Sequence, residues 1–437
     1  MTPKQLSALK AYAQATHAGL CVAVRQAPTH ATRTQTLYEL LNGHPAEAVN
    51  EILGRPRRRR EGLYFSGSRW GQLVADALPT ERCERVVDPA CGIGDLLLAT
   101  ARHLPLGPTL EATLRAWSSR LVGVDLHGPF LALAWHRLQA LAMDRHGLVH
   151  PHLRLGTMCP ASFRVANSLR EKWRLRAGDG VVMNPPFQAI AAPLGTINGT
   201  GRVTAALAFL ERAIGHAPPG VHVVALVPEV IRSGSRYARL RDWLAQRCQQ
   251  LHFKAHGQFS EEANIDVALL VATTRSPTSR LILVDEANAA SKAPAAAVVR
   301  RLGDVCSVHV GAVVPHRTRK NGPRQPYIAV VDVTPWEETS PTRTVGYRAS
   351  THAPPFVVVR RTSGPRDKER VRATIVRGEA PILVENHLLV LTPNVHSVRA
   401  CRELAAALKR PQTSSWLNER IRCRHLTVGA VREIPLP

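Results

Sequence analysis

This 437-residue chain lacks the cysteine patterns that are typical of zinc sites. Its eight cysteines include no CxxC pair and lie near no histidine at zinc-ligand spacing. Neither a metal site nor a disulfide framework is indicated, so a reducing cytoplasm is the expected location. The chain also lacks a run of about 18 apolar residues. Its first residues, MTPKQLSALKAYAQ, are polar and helical in pattern, unlike a signal peptide. We therefore expect no membrane insertion.

Acidic residues are scarce: 33 Asp and Glu stand against 57 Lys and Arg, which gives a formal charge of +24 and a pI near 10.8. The basic residues are spread along the chain rather than collected in one tail, so a polyanionic partner is expected. Arginine predominates, which suits bidentate contacts to phosphate and to guanine edges. Richness in Arg and Ala also follows from a GC-rich genome, so composition leaves both explanations open.

The hydrophobic pattern changes twice along a chain that is long for one core. Residues 1–60 are interpreted as short amphipathic helices forming a cap, followed by a basic linker, RRRR, that either holds phosphates or is simply solvated. Residues 61–275 repeat strand, Gly-rich turn and helix, which predicts an α/β, doubly wound fold with a mainly parallel sheet. Residues 276–437 contain strands (YIAVVDV, PFVVVRR) and a helix (VRACRELAAALK) that predict a smaller mixed α+β domain.

Two strands end in carboxylates. The string DPACGIGDLLL, residues 88–98, follows an apolar strand and contains a turn with two glycines that leads into a helix. Such a turn brings backbone N–H groups close to a ligand that a Cβ would exclude, although it could be a plain strand-to-helix connection. The third glycine of a dinucleotide G-x-G-x-x-G motif is absent. Asp125 ends the strand LVGVD, where it could accept hydrogen bonds from ribose hydroxyls or cap a helix.

A rigid corner follows another apolar strand in GVVMNPPF, residues 180–187. The two prolines after Asn184 fix φ twice and remove two backbone donors, which leaves carbonyl groups facing a pocket. The corner therefore presents hydrogen-bond acceptors. Phe187 comes directly after it and is either a stacking platform or an ordinary core aromatic.

These strings resemble the motifs of the gamma-order adenine-N6 DNA methyltransferases (N-6 DNA methylase family), in which cofactor motifs come first, catalysis next and target recognition last. The resemblance spans about residues 61–275 and implies a Rossmann-like S-adenosylmethionine-dependent methyltransferase domain, with residues 276–437 as the target-recognition domain. It implies that Asp88, Ala90 and Gly92, with Cys91 between them, line the methionine and ribose part of S-adenosylmethionine. Asp125 takes the place of the acidic ribose ligand.

The same resemblance implies the catalytic roles. The Asn184 side-chain oxygen and the Pro185 carbonyl would accept both N6–H hydrogens of a flipped-out adenine, which steers the nitrogen lone pair toward the methyl group. Pro186 completes the rigid corner, and Phe187 would stack on the adenine. Ser or Asp in place of Asn184 would have suggested cytosine-N4 chemistry, so the asparagine indicates adenine.

The chain departs from the family at two cofactor positions. The string GLYFSGSRW, residues 62–70, is similar to motif X, where Tyr64 and Ser66 are the candidate cofactor residues and Gly67 replaces the usual proline. Ser66 could instead be only a helix N-cap. Thr157 stands where the family often has an Asp that binds the cofactor adenine, and its hydroxyl brings no charge. The sequence leaves open whether these departures weaken cofactor binding.

Basic side chains in the last region are the candidate DNA contacts. They occur in the loop HRTRK, residues 316–320, and at the end of FVVVRR, residues 356–361. Such loops could equally clamp phosphates without reading bases. The DNA-binding candidates are Arg317, Arg319, Lys320, Arg360 and Arg361.

The sequence thus predicts a site-specific DNA adenine-N6 methyltransferase that uses S-adenosylmethionine and double-stranded DNA, the modification enzyme of a restriction-modification or phage-defence system. A cognate restriction endonuclease or specificity subunit would be a separate partner chain. The alternatives are an RNA or protein-glutamine methyltransferase, and a catalytically silent DNA-binding subunit. Thr157 and Gly67 are the only hints of the silent subunit.

Overall fold

A computed structural model of the chain describes residues 1–25, 30–147, 155–156, 159–193, 195–197, 201–260, 262–263, 265–275, 282–283, 300–315, 322–363, 369–420 and 426–436. The chain divides into two compact units. Unit 1 contains residues 1–232 and 236–286, and unit 2 contains residues 233–235 and 287–437. None of the helices in the described ranges combines the length and the apolar composition needed to span a membrane.

Five helices precede the first strand of unit 1. They are α1 (Pro3–Arg25), α2 (His30–Leu41), α3 (His44–Leu53), α4 (Arg55–Glu61) and α5 (Gly67–Ala77). The buried Leu9 and Val49 share a hydrophobic cluster with Ile93 and Phe130. Residues 1–60 therefore belong to the same compact unit as the sheet. The run Arg57–Arg60, interpreted from the sequence as a linker, lies inside α4.

An eight-stranded sheet organises unit 1. Its strands are β1 (Arg85–Asp88), β2 (Leu121–Asp125), β3 (Phe163–Val165), β4 (Asp179–Met183), β7 (His222–Pro228), β8 (Cys248–Gln258), β9 (Asp266–Thr274) and β10 (Ile282–Leu283), while β5 (Ala189–Ala191) and β6 (Arg202–Thr204) form a separate hairpin. The order is β10-β8-β9-β7-β4-β1-β2-β3, and only β9 runs antiparallel to its neighbours. The predicted mainly parallel sheet is confirmed.

Helices cover both faces of this sheet. The remaining helices of unit 1 are α6 (Asp95–Ala101), α7 (Leu110–Arg120), α8 (Gly128–His146), α9 (Ala205–Gly215), α10 (Glu229–Ser233) and α11 (Ala238–Arg247). Side chains alternate along β4, because Val182 packs into one hydrophobic cluster while Val181 and Met183 pack into the other. Since β1 pairs with both β2 and β4, the chain winds away from it in two directions. Ligands bind at such a switch point, outside the carboxyl ends of the strands.

Unit 2 contains both helices and strands. It contains α12 (Leu302–Val305), β11 (Cys306–Val310), β12 (Arg324–Ile328), β13 (Glu338–Thr339), β14 (Arg343–Gly346), β15 (Phe356–Arg360), β16 (Ala373–Val376), β17 (Leu383–Val384), β18 (Leu388–Pro393), α13 (Val398–Lys409), α14 (Pro411–Arg420) and α15 (Val428–Arg432). Five strands form the sheet β11-β18-β15-β16-β13, and three form β14-β12-β17. The predicted strand in PFVVVRR and the predicted helix VRACRELAAALK are confirmed. The predicted single strand YIAVVDV is wrong beyond Ile328, because Val330–Asp332 forms a 3₁₀ turn.

Candidate active site

The turn between β1 and α6 depends on two glycines in the left-handed region. Gly92 has φ 52° and Gly94 has φ 83°. A Cβ on Gly94 would lie 2.7 Å from the Cβ of Ala134 on α8, so only glycine fits there. The backbone of the turn is thereby held close to the carboxyl end of β1, where it leaves room for a ligand.

Two carboxyl groups flank this turn. Asp88 is 1% exposed, and its Oδ1 accepts a hydrogen bond from the Ala90 N–H at 3.0 Å. Burial raises the pKa of Asp88 to about 8. Asp125 accepts from the Gly92 N–H at 3.0 Å and from the His127 N–H at 2.9 Å, and burial raises its pKa to about 6. Asp125 thus joins the end of β2 to the turn after β1.

Both carboxyl groups line a cavity of about 310 Å³, which is within the usual size of small-molecule sites, roughly 300–1,000 Å³. The structure brings most of the site residues predicted from the sequence to this cavity. Pro185 and Phe187 are not among its lining residues, and Thr157 lies outside the described residues. The predicted residues that line the cavity are Tyr64, Ser66, Asp88, Ala90, Cys91, Gly92, Asp125, Asn184 and Pro186.

The orientation of Asn184 is set by the segment that precedes α5. Its Nδ2 donates to the Ser66 Oγ at 2.9 Å and faces the Tyr64 carbonyl at 3.4 Å. A backbone carbonyl can only accept, so the amide nitrogen must point toward it. Within the described residues, Oδ1 of Asn184 accepts no hydrogen bond, and it remains available at the cavity.

Ser66 occupies the N-cap position of α5 but makes no side-chain cap hydrogen bond. Its hydroxyl oxygen instead accepts the hydrogen bond from the Asn184 Nδ2. The neighbouring Gly67 has φ 62°, and its N–H donates to the Asp95 Oδ2 at 2.8 Å. Proline could provide neither the positive φ nor the donor. A cofactor contact of Ser66 remains a prediction.

A buried ion pair near the cavity was not predicted from the sequence. Arg137 on α8 is 3% exposed, and its NH1 lies 2.6 Å from the Asp95 Oδ1. Arg137 also donates to the carbonyls of Ile93 and Leu40. The pair fastens α6 and the turn to α8. The signal that could have revealed it is a lone arginine in the mostly apolar stretch FLALAWHRLQALAM.

Phe187 belongs to an aromatic cluster beside the cavity. Its ring meets Phe259 edge to face, with centroids 5.7 Å apart. Tyr64 also contacts Phe259, and Trp70 stacks on it and donates its indole N–H to the Phe259 carbonyl at 3.0 Å. Nothing in the sequence spacing of Phe259 indicated a contact with Phe187. The half-buried Phe187 therefore combines a core contact with a position next to the Asn184 corner.

The DNA-binding candidates of unit 2 are placed only in part. Arg317, Arg319 and Lys320 lie outside the described residues. Arg360 donates to the carbonyls of Val330 and Val333, and Arg361 donates to that of Asn386. Both guanidinium groups thus have partners inside unit 2, and a DNA contact by either remains a prediction.

No family model and no curated protein matches the sequence. Solved structures do match. The type IIL restriction-modification enzyme MmeI, in complex with DNA, has a TM-score of 0.52 at 10% identity, and the match covers 89% of this chain and 69% of MmeI. The likeness is one of fold.

Two further matches have lower TM-scores. The type IIG restriction endonuclease BpuSI has a TM-score of 0.47 at 13% identity, over 93% of this chain and 62% of BpuSI. A Listeria monocytogenes protein described as a class I S-adenosylmethionine-dependent methyltransferase has a TM-score of 0.39 at 14% identity, over 63% of this chain and 85% of that one. The structural neighbours are thus class I methyltransferases and restriction-modification enzymes. This chain spans less than two thirds of BpuSI.

Proposed function

We propose that this chain is a site-specific DNA adenine-N6 methyltransferase of the gamma order, the modification enzyme of a restriction-modification or phage-defence system. The observation that carries the proposal is the setting of Asn184. Its amide nitrogen is held by Ser66 and Tyr64, and its oxygen remains available at a cavity that Asp88 and Asp125 also line.

The residues around the cavity fit S-adenosylmethionine. The backbone at Gly92 leaves a cradle that a side chain would narrow, because a Cβ there would meet the Phe65 ring at 3.4 Å. Asp125 has acceptor capacity for ribose hydroxyls, and the buried Asp88 carries a raised pKa that a nearby positive charge would lower. When bound, the cofactor supplies an electrophilic methyl group on a sulfonium ion.

The corner after β4 positions the base. In this proposal the Asn184 oxygen and the Pro185 carbonyl accept the two N6–H hydrogens of a flipped-out adenine, so the amino nitrogen is aimed at the methyl group. Positioning of this kind requires no general base. Phe187 supports the base by stacking, and Phe259 holds the Phe187 ring from its edge.

The positive charge of the chain and its structural neighbours both support a polyanionic substrate. The formal charge of +24 favours a nucleic acid. MmeI, which shares the fold over 89% of this chain, was solved in complex with DNA. Unit 2 would then be the target-recognition domain, and a restriction endonuclease or specificity subunit would be a partner chain.

The test is sequencing with modified-base detection of DNA from cells that express the wild type, Asn184→Ala or Asn42→Ala. Asn42 lies in the connection between α2 and α3, where its Oδ1 accepts from the His44 N–H, so it is a matched control. We expect N6-methyladenine at one short motif in the wild type and in the Asn42 variant, and none with Asn184→Ala. Methylcytosine would contradict the adenine specificity and favour cytosine chemistry. An unmodified genome from a chain that binds S-adenosylmethionine would contradict the DNA substrate and favour an RNA substrate, a protein substrate or a silent subunit.

A further inference from the structure

The four consecutive arginines of α4, Arg57–Arg60, form two pairs with different surroundings, and the first pair, called the inner pair, is structural. Arg57 lies 2.7 Å from the Glu61 carboxylate and donates to the Gln5 Oε1 at 2.8 Å. Arg58 lies 2.6 Å from the Glu262 carboxylate. Each of the two arginine side chains is only 11% exposed. These contacts fix α4 to the body of unit 1.

Within the described residues, the outer pair has no close carboxylate of its own. Arg59 is exposed and has no carboxylate within 4 Å in the described part of the chain. The Arg60 side chain is 73% exposed, and its nearest carboxylate is Glu61 at 3.9 Å, which already pairs with Arg57. Two adjacent guanidinium groups therefore face solvent at the carboxyl end of α4, where the helix dipole favours cations.

That end of α4 is fastened to the loop that carries the Asn184 corner. Gln188, which follows Phe187, donates its side-chain N–H groups to the carbonyls of Arg60 at 3.0 Å and Glu61 at 2.9 Å. Gly62 has φ 64°, and a Cβ on it would lie 3.1 Å from the backbone nitrogen of Gln188. Gly62 and Gln188 both line the cavity. Arg60 is thus two residues, and Arg59 three residues, from the cavity-lining Gly62.

The α4 helix is also fastened to the loop after β8. Glu262, the partner of Arg58, comes three residues after Phe259, the aromatic residue that meets Phe187. One short helix therefore touches both loops that carry the aromatic rings beside the cavity. A ligand held by the outer arginines would be held at a fixed position relative to the Asn184 corner.

We propose that α4 is a phosphate clasp. Arg57 and Arg58 anchor it, Gln188 caps it, and Arg59 and Arg60 bind the phosphodiester backbone of the strand whose base enters the cavity. A guanidinium group matches phosphate oxygens through two parallel hydrogen bonds. The inference rests on a nucleic-acid substrate for the proposed function, but it does not depend on which base is methylated.

The experiment measures binding of short random-sequence duplexes to the full chain at several salt concentrations, for the wild type and for Arg59→Ser/Arg60→Ser. Because each lost phosphate contact lowers the slope of log K against log salt by about 0.9, we expect the slope to fall by about 2. The KM for DNA should rise while kcat stays the same. Binding of S-adenosylmethionine and the thermal midpoint should also stay unchanged. Arg59→Lys/Arg60→Lys should keep most of the slope.

The matched control is Arg82→Ser/Arg115→Ser. It removes the same charge from exposed positions, one of them before the amino end of β1, at the sheet edge opposite the cavity. A wild-type slope in the Arg59/Arg60 variant, or an equal loss of slope in the control, would overturn the clasp. So would a wild-type chain that binds no duplex. Methyl transfer, measured separately with radiolabelled cofactor, tests the proposed function. A chain that methylates DNA but keeps a wild-type salt slope in the Arg59/Arg60 variant would therefore contradict only the clasp.

Discussion

The turn after β1 and the corner after β4 line the same cavity, but they are held in different ways. Several independent contacts fix the turn: the Gly92 N–H bonds to Asp125, Gly94 packs on α8, and Asp95 pairs with Arg137. The side chain of Asn184 at the corner is held by one short hydrogen bond to Ser66 and a longer one to the Tyr64 carbonyl.

Because of this difference, substitutions at the turn should mainly affect folding stability, and substitutions at the corner should mainly affect catalysis. A turn with many buried restraints loses folding energy when one of them is removed, because the remaining partners keep unpaired charges or a cavity. A corner with an accessible amide oxygen can lose one contact and stay folded, although the oxygen is then poorly aimed. Substitutions at the two places should therefore change different observables.

Removing the buried cation should have the largest effect. Arg137→Met keeps the side-chain volume but leaves the Asp95 carboxylate without its partner in the interior. Breaking a buried pair in this way lowers the free energy of unfolding by about 3–5 kcal/mol. Chemical denaturation of the wild type and the variant measures the change.

Arg115→Met is the control for that experiment, because Arg115 is exposed on α7. It should alter the unfolding free energy by no more than about 0.5 kcal/mol. Equal stability of the two variants would show that the ion pair contributes little and that the other contacts of the turn hold it.

The sequence predicted the parts of the site that local geometry determines. The positions of Asp88 and Asp125 at strand ends, and of Asn184 before two prolines, follow from apolar runs and turn residues. The carboxyl ends of neighbouring parallel strands lie at one sheet edge, so the meeting of these side chains at one cavity is a consequence of topology.

Contacts between distant segments could not be predicted in this way. The Ser66–Asn184 hydrogen bond joins residues 118 positions apart, and the Arg58–Glu262 pair joins residues 204 apart. No local pattern records such partners. The RRRR string looked uniform, and only the packed structure distinguishes its two anchoring arginines from its two exposed ones.

The carboxyl groups at the turn should make stability depend on pH. Burial raises the pKa of Asp88 to about 8 and that of Asp125 to about 6, from a usual value near 3.8. A raised folded-state pKa contributes stability that is complete below the unfolded pKa and is lost as pH rises through the folded pKa. We expect the free energy of unfolding without cofactor to fall between about pH 4 and pH 8.

Denaturation at several pH values, with and without S-adenosylmethionine, measures this dependence. The cofactor carries positive charge and should lower both pKa values, so the fall should flatten when it is bound. Glu111→Gln, at an exposed carboxyl group on α7, should leave the pH profile unchanged. A profile that rises from pH 4 to pH 8 without cofactor would contradict the assignment of raised pKa values.

Ser66→Ala should have the smallest effect and should distinguish the two roles of this hydroxyl. Without it, the Asn184 nitrogen retains only the longer contact to Tyr64, and the loss of one hydrogen bond corresponds to a roughly five- to tenfold lower kcat. The dissociation constant of S-adenosylmethionine should stay the same, because the hydroxyl already serves Asn184. Ser68→Ala, two residues further along α5 and exposed, should change neither quantity. If the dissociation constant rises in Ser66→Ala while kcat is kept, the hydroxyl binds the cofactor, and the corner after β4 is held by its prolines and by Tyr64.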